Sequence, residues 1–336
     1  MPLSNDFPPG TEKGDSEQFH AKLLTVPFSI QRVAHVVDSL SPEHSVTQYI
    51  TILVSALKAQ GIESTIITPE ASNNLHESGI SIALLHSRAS LRPARVHIRV
   101  HHESDTDAQA YDGHIFLFEN ALLRAGVSGN AVWIPPASDI EAIAKRREPV
   151  TKQSMGLESA GSISATFGPL SNVSGREYLR VLAEIMTRFP RHYHLFAGTG
   201  NVRTIRPYLH SEGVLPRIRF LGPMNDVASL IPMIDVYFTP FPDADPRFVL
   251  DAMGMEKPVL VRRYATDSPL NSAAELVGIR ELSASKEMEY IEIADRLLRN
   301  TSFRAEQGQA AYDRFRIEFR PAKLGERYKN FIASFF

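Results

Sequence analysis

The sequence contains no cysteine in its 336 residues. This absence excludes disulfide bonds, thiolate metal ligands and cysteine nucleophiles, and it is compatible with a reducing cytoplasm. The sequence also lacks a strong charge of either sign, because 36 Lys and Arg residues are matched by 38 Asp and Glu residues, for a net charge of -2. A nearly neutral chain argues against a broad electrostatic surface for nucleic acid or for anionic membranes.

Long apolar runs are absent as well. No run approaches the roughly 18 residues that a membrane-spanning helix needs, so we expect no transmembrane segment. Residues 1–27 are polar and contain Pro and Gly, without the basic start and apolar centre of a signal peptide. We therefore expect residues 1–27 to form a disordered leader, and we expect the protein to be cytoplasmic.

What the sequence does contain is a regular alternation of apolar, strand-like runs with amphipathic, helix-like runs, which is typical of parallel sheets with crossover helices. The predicted strands cover residues 33–37, 65–68, 82–85, 96–100, 114–118, 132–134, 162–167, 194–197, 218–221, 236–239 and 259–261. The clearest predicted helices cover residues 46–57, 178–186, 287–299, 303–315 and 322–335.

This alternation is interrupted at about residues 145–161, where a basic run is followed by a Gly/Ser-rich piece without periodicity. The interruption separates a first unit, residues 28–145, from a second unit, residues 162–318, with a linker at 146–161 and a last helix at 319–336. The predicted fold class is α/β, with two Rossmann-like doubly wound domains that face each other across a cleft. Ligands of such sheets bind outside the carboxyl ends of the strands.

The most informative segment contains two carboxylates, Asp243 and Asp251, separated by seven residues. Asp243 follows an apolar strand, and Asp251 lies on the next predicted helix. This arrangement resembles the donor-sugar site of glycosyltransferases with the GT-B fold, whose two positions usually hold Glu. The family's other recurrent features are matched in order by residues 167–170, 196–200, 219–223 and 235–240.

The resemblance has two parts. The donor half is similar to the retaining, glycogen-synthase-like group, whereas residues 268–298 are similar to O-GlcNAc transferase and to bacterial enzymes that glycosylate adhesins or flagellins. It implies an acceptor-side domain at 28–145, a nucleotide-sugar-binding domain at 162–318, and a return helix at 319–336 that packs on the N-terminal domain.

The resemblance also implies roles for single residues. Asp251 would accept hydrogen bonds from ribose hydroxyls, Asp243 would face the sugar, and backbone N–H groups after Asp245 would hold the diphosphate. The implied catalytic residues are His101, His102 and Asp243, the histidines bonding a sugar hydroxyl or acting in proton transfer. The implied nucleotide-sugar-binding residues are Gly168, Asn172, Gly198, Gly222, Pro223, Asp243, Asp245, Arg247, Phe248 and Asp251.

The sequence departs from the family in its cations and in one loop. The usual Arg and Lys of the diphosphate clamp are replaced by Pro169 and by Ser174 or Gly175, and the loop after the first strand lacks the usual Gly-Gly pair. Arg247 is the best substitute because it lies inside the phosphate-facing turn. Three other candidates are Arg176, Arg262 and Arg263.

Structural roles compete with these functional ones. The three aspartates are also suited to helix capping and solvated loops, His101 and His102 to a surface loop, and Arg247 to a solvated surface. His35 is predicted to be a core histidine. The 12 histidines show no metal-ligand spacing, so we expect no metal requirement and no cofactor beyond the donor substrate.

The leading hypothesis is a hexosyl- or N-acetylhexosaminyl-type glycosyltransferase that moves a sugar from a nucleotide diphosphate sugar to a protein or glycan acceptor. The alternative is a catalytically weak or inactive subunit that binds a partner glycosyltransferase or its protein substrate. A homo-oligomer also stays open, and so does a sugar-nucleotide epimerase that would use Glu103 and Asp105.

Overall fold

The computed structural model describes residues 32–38, 45–69, 75, 80–86, 94–102, 111–127, 129–173, 175–224, 227–265 and 268–336. The predicted disordered leader, most of the loop after the first strand, and the residues Glu103, Asp105 and Ser174 lie outside the described residues.

The first domain is built on a six-stranded parallel sheet with the strand order β2-β1-β3-β4-β5-β6. Its strands are β1 (Arg32–Val36), β2 (Glu63–Ile67), β3 (Ile82–Leu85), β4 (Val96–His101), β5 (Gly113–Phe116) and β6 (Ala131–Trp133). Its helices are α1 (Ser45–Ala59), α2 (Glu119–Ala125) and α3 (Ile140–Ala144).

The second domain is built on another six-stranded parallel sheet, with the order β12-β11-β10-β7-β8-β9. Its strands are β7 (Ser162–Phe167), β8 (His192–Ala197), β9 (Ile218–Gly222), β10 (Val236–Phe238), β11 (Val259–Arg262) and β12 (Ser283–Ala284). Its helices are α4 (Arg176–Arg188), α5 (Arg206–Ser211), α6 (Pro246–Gly254), α7 (Ser272–Val277), α8 (Glu287–Arg299) and α9 (Thr301–Glu318).

Because helices cover both faces of each sheet, the side chains on both faces of the central strands are buried. All six residues of β7 are buried, as are all six of β4. The fold-class prediction is confirmed: two doubly wound α/β sheets are present. Strand order reverses between β1 and β3 and between β7 and β10, and such reversals open a crevice at the carboxyl ends.

The last helix, α10 (Pro321–Ala333), returns to the first domain and lies on α1. The contact is close at Gly325, where an added Cβ would lie 2.5 Å from the carbonyl oxygen of Ala56. Beside it, the buried hydroxyls of Tyr49 and Tyr328 are 2.6 Å apart. The two domains are therefore joined by packing of α10 as well as by the covalent linker.

Residues 145–161 connect the domains through an irregular stretch with one short 3-10 turn, Gln153–Met155. Val150 N–H donates to the carbonyl oxygen of Ser229 at 2.8 Å, and Leu157 is fully buried. The linker is thus fixed on the second domain. Among the helices of the described residues, none is both long enough and apolar enough to cross a bilayer.

Candidate active site

A cleft of about 1030 Å³ lies between the two domains, at the carboxyl ends of their strands. The first domain contributes Tyr49, His102 and residues 136–140, and the linker contributes Arg146 and Arg147. The second domain contributes Pro169, Asn172, residues 243–247 and Asp251. This is the position at which doubly wound sheets bind ligands.

The segment after β10 turns directly into α6 and places its aspartates differently. Asp243 is exposed and lines the cleft. Asp245 is the N-cap of α6, where its Oδ1 accepts a hydrogen bond from Arg247 N–H at 2.9 Å. Burial raises the pKa of Asp245. The capping role suggested by composition therefore applies to Asp245, while Asp243 faces the cleft.

Asp251 lies on α6, six residues after the N-cap Asp245, and only 4% of it is exposed. Ser138 Oγ, from the opposite side of the cleft, donates to Asp251 Oδ1 at 2.6 Å, and Arg247 Nε lies 3.7 Å from Oδ2. Burial raises the pKa of Asp251 to about 6, against the opposing effects of the Arg247 charge and the Ser138 hydrogen bond. The carboxylate is therefore ionised at neutral pH and already serves as an acceptor across the cleft.

Arg247 is the cation best placed for an anionic ligand. Its guanidinium lies 4.9 Å from the centre of the Phe248 ring and faces Asp251. Arg176, Arg262 and Arg263 are absent from the described residues that line this cleft. Arg262 instead stacks on Phe241 at 5.7 Å.

The start of α6 offers fewer backbone donors than the resemblance implied. Pro246, the first helical residue, has no N–H, and the N–H of Arg247 is already capped by Asp245. The helix dipole still favours an anion here. Backbone N–H groups were expected to hold the diphosphate. The side chain of Arg247 must therefore supply much of that interaction.

The two adjacent histidines separate. His102 lines the cleft and directly follows the end of β4. His101 does not face the cleft, contrary to the sequence expectation: it is 1% exposed, is 3.1 Å from His114 Nδ1 through its Nε2, and stacks on Phe116 at 4.1 Å. The physical reason is that β4 continues through His101, so neighbouring side chains point to opposite faces.

Most of the predicted binding glycines and their neighbours do not line the cleft in the structure. Asn172 lines it, whereas Gly168, Gly198, Gly222, Pro223 and Phe248 lie outside the lining residues. Gly198 is packed so closely that an added Cβ would lie 1.7 Å from the carbonyl oxygen of Gly168. Phe248 is buried against Phe167, with ring centres 5.7 Å apart. Nucleotide contacts by these five residues remain a prediction.

Several lining residues were missed by sequence reasoning. Ser138, Arg146 and Arg147 come from the end of the first domain and from the linker. The only sequence signal was the basic run at residues 145–147, which was interpreted as linker composition. Among the described residues, the charged side chains that line the cleft are four carboxylates and three arginines, namely Asp139, Asp243, Asp245, Asp251, Arg146, Arg147 and Arg247. This mixed charge favours a ligand with both hydroxyl donors and an anionic group.

A metal site is not formed by the residues that the structure describes, since no three His, Asp or Glu side chains come together among them in a way that could hold an ion. The cleft histidine, His102, is instead within hydrogen-bond distance of another histidine, with 2.9 Å between its Nε2 and His86 Nδ1.

Comparison with known proteins gives structural matches but no sequence match. No protein-family profile matches the chain, and no curated protein matches it in sequence. HepE from Anabaena, solved with UDP, is similar at a TM-score of 0.71 and 15% identity over 90% of this chain and 100% of that chain.

Two further solved structures share the architecture. A glycosyltransferase from Rickettsia africae is similar at a TM-score of 0.70 and 12% identity, covering 90% of this chain and 98% of that one. An O-GlcNAc transferase mutant from Thermobaculum terrenum is similar at 0.64 and 20% identity, covering 90% of this chain and 68% of that one. The chain therefore has the GT-B fold, as the resemblance predicted.

Proposed function

We propose that this protein is a glycosyltransferase that moves a sugar from a nucleotide diphosphate sugar to a protein or glycan acceptor. The observation that supports this most is the cleft of about 1030 Å³, which combines Asp251, Arg247 and Asp243 with His102 of the facing domain. In this proposal Asp251 accepts from the ribose, Arg247 pairs with the diphosphate and Asp243 accepts from sugar hydroxyls. The transferred group is proposed to be a hexosyl or N-acetylhexosaminyl group.

The proposal includes no metal. Charge that develops on the leaving diphosphate would be stabilised by Arg247 and by the N-terminal end of α6, and Arg146 and Arg147 of the linker also line the cleft. UDP is the first nucleotide to test because HepE, which shares the fold, was solved with it. A cytoplasmic location belongs to the same proposal and is supported by the absence of cysteine.

A second candidate function is supported by one position. Pro169 lines the cleft where the resembling family usually has an Arg of the diphosphate clamp. A chain with this substitution would suit a catalytically weak subunit that binds a partner glycosyltransferase or its protein substrate. Turnover of donor by the purified protein alone would count against this second function.

The first test is a thermal-shift screen with UDP, GDP, dTDP, CMP and their sugar conjugates. A ligand that binds only the folded state raises the midpoint by mass action. We expect one nucleotide to raise the midpoint, D251N to abolish the shift, and D313N to retain it, because Asp313 is a surface residue of α9 paired with Arg316. If no nucleotide raises the midpoint of the wild-type protein, or if a nucleotide raises the midpoint of D251N equally, the assignment of the site is wrong.

A further inference from the structure

Ser138, which lines the cleft, is held in place by hydrogen bonds of both its backbone and its side chain. Its N–H donates to the carbonyl oxygen of Phe319 at 3.0 Å, and its Oγ accepts from the N–H of Ile140 at 3.1 Å. Ile140 begins α3 and is tightly packed, because a Cβ added to Gly254 of α6 would lie 2.5 Å from its Cγ2. Ser138 is therefore anchored between the residue that follows α9 and the first residue of α3.

These contacts decide the direction of the remaining hydrogen bond of Ser138. A backbone N–H can only donate, so the Ser138 oxygen is the acceptor towards Ile140, and the single hydroxyl hydrogen is left for another partner. That partner is Asp251 Oδ1, at 2.6 Å. Ser138 and Asp251 are each 4% exposed, and a hydrogen bond to an ionised acceptor is stronger than one to a neutral acceptor. One oxygen of Asp251 is therefore already occupied by the protein.

The other oxygen of Asp251 is left for a ligand. Among the described residues, no donor lies within hydrogen-bond distance of Oδ2, since Arg247 Nε is 3.7 Å away. A carboxylate with two free oxygens can accept from both neighbouring hydroxyls of a ribose, one at each oxygen. With Oδ1 occupied by Ser138, Asp251 offers Oδ2 alone.

We propose that Ser138 is a positioning residue that keeps Oδ1 of Asp251 occupied, so that Asp251 recognises a ribose through only one of its two hydroxyls. The ligand class that follows is a nucleoside diphosphate in which one ribose hydroxyl is required and the other is dispensable. The role of Asp251 towards a ribose rests on the proposed function, whereas the contact between Ser138 and Asp251 does not.

The first test compares UDP, 2′-deoxy-UDP and 3′-deoxy-UDP by calorimetric titration into the wild-type protein. One deoxy form should bind within about twofold of UDP, and the other should bind about tenfold or more weakly, because it lacks the hydroxyl that donates to the charged Oδ2. Equal losses for both deoxy forms, or no loss for either, would overturn the proposal. This comparison uses the wild-type protein, so it is decisive even if a variant of Ser138 fails to fold.

The second test needs no ligand and follows the titration of the Asp251 carboxyl carbon by NMR in wild type and S138A, assigned with D251N. Burial raises the pKa of Asp251, as do the charges of Asp245 and Asp139, whereas Arg247 and the Ser138 hydrogen bond lower it. Loss of the Ser138 hydroxyl should therefore move the Asp251 titration to higher pH. An unchanged titration in S138A would show that Ser138 does not hold Oδ1, and it would sink the proposal.

The matched control is S283A. Ser283 is also buried, and its Oγ donates to the carbonyl oxygen of Ile279 at 2.7 Å, but it lies outside the cleft lining. S283A should change neither the Asp251 titration nor the affinities for the three nucleotides. In S138A, by contrast, Oδ1 becomes free, and both deoxy forms should bind more weakly than UDP. If S138A keeps the wild-type pattern, Ser138 is not what restricts Asp251, and the proposal fails.

Failure of the proposed function gives a different result. If UDP does not bind to wild type while S138A raises the pH at which Asp251 titrates, the proposed function fails, and ribose recognition fails with it, although Ser138 still positions Asp251. If UDP binds and its affinity depends equally on both hydroxyls, the proposed function stands and recognition through one hydroxyl is wrong.

Discussion

Asp251 is the residue whose contacts in the structure bear most directly on the proposed function. It is 4% exposed, yet its carboxylate is ionised at neutral pH because Ser138 donates to Oδ1 and Arg247 lies near Oδ2. The Ser138 contact joins the two walls of the cleft. A ribose hydroxyl that donates to Asp251 would have to share or replace it.

Asp251 should make stability depend on pH in a defined direction. Its folded pKa, about 6, lies above its usual 3.8, so the folded state binds more protons than the unfolded chain between these values. Its contribution to the free energy of unfolding must therefore fall as pH rises through this window, by up to about 3 kcal/mol. In D251N this contribution is missing.

The measurement is a pair of denaturant-unfolding series, for wild type and D251N, from pH 4 to pH 7. We expect wild type to lose stability relative to D251N as pH rises from 4 through 6, with the relative change levelling off towards pH 7. Titrating groups that do not interact with Asp251 cancel in the difference. Parallel curves for the two proteins would show that the pKa of Asp251 is not raised.

At the scale of elements, the return of α10 to α1 fixes the position of the cleft wall that contains Tyr49. Gly325 allows the contact because an added Cβ would lie 2.5 Å from a backbone oxygen of Ala56, which cannot move as a flexible side chain would. The buried Tyr49–Tyr328 hydroxyl pair lies beside it.

Gly325→Ala should therefore destabilise the protein despite the better helix propensity of alanine. Overpacking costs about 1–3 kcal/mol, and the gain from alanine in a helix is at most about 1 kcal/mol. We expect the melting temperature to fall by a few degrees. Asn330→Ala, on the exposed side of the same helix, should not lower it. Equal melting temperatures for G325A and wild type would mean that α10 does not pack this closely on α1.

Most of the strands could be predicted from the sequence because buried parallel strands are long apolar runs between turn residues. The predicted strand at 162–167 is observed as β7, and the predicted helix at 287–299 is observed as α8. The two-residue strand β12 was missed because two residues show no periodicity. The short helices α2 and α3, of seven and five residues, were missed because they are too short to show a clear helical period.

The candidate site was less predictable than the fold. Asp243 and Asp251 could be found because they follow a strand end at a recognisable spacing, whereas Ser138 and Arg147 reach the cleft only through the domain arrangement. The separation of His101 from His102 depends on where β4 ends. A shift of the strand register by one residue would exchange the faces to which the two side chains point. The contacts of His86 with His35 and His102 join residues that are distant in sequence, so they have no local pattern.

At the scale of the whole molecule, the proposed site exists only because two domains and their linker meet. Asn120 of the first domain donates to the carbonyl oxygen of Ser268 at 2.7 Å, and Glu141 is paired with Arg320 at 2.6 Å. The first contact joins the two domains, and the second joins α3 to the start of α10. The second domain contributes Arg247 to the cleft, and the linker contributes Arg146 and Arg147.

The central claim is that this cleft binds a nucleoside diphosphate through Arg247. Its most direct test is calorimetric titration of UDP into wild type, R247Q and the control R263Q, whose Arg263 lies outside the cleft and reaches Ser285 Oγ at 3.4 Å. The account predicts binding to wild type, affinity weakened about tenfold or more in R247Q, and no change in R263Q. No binding to wild type, or equal affinity in all three proteins, would contradict it.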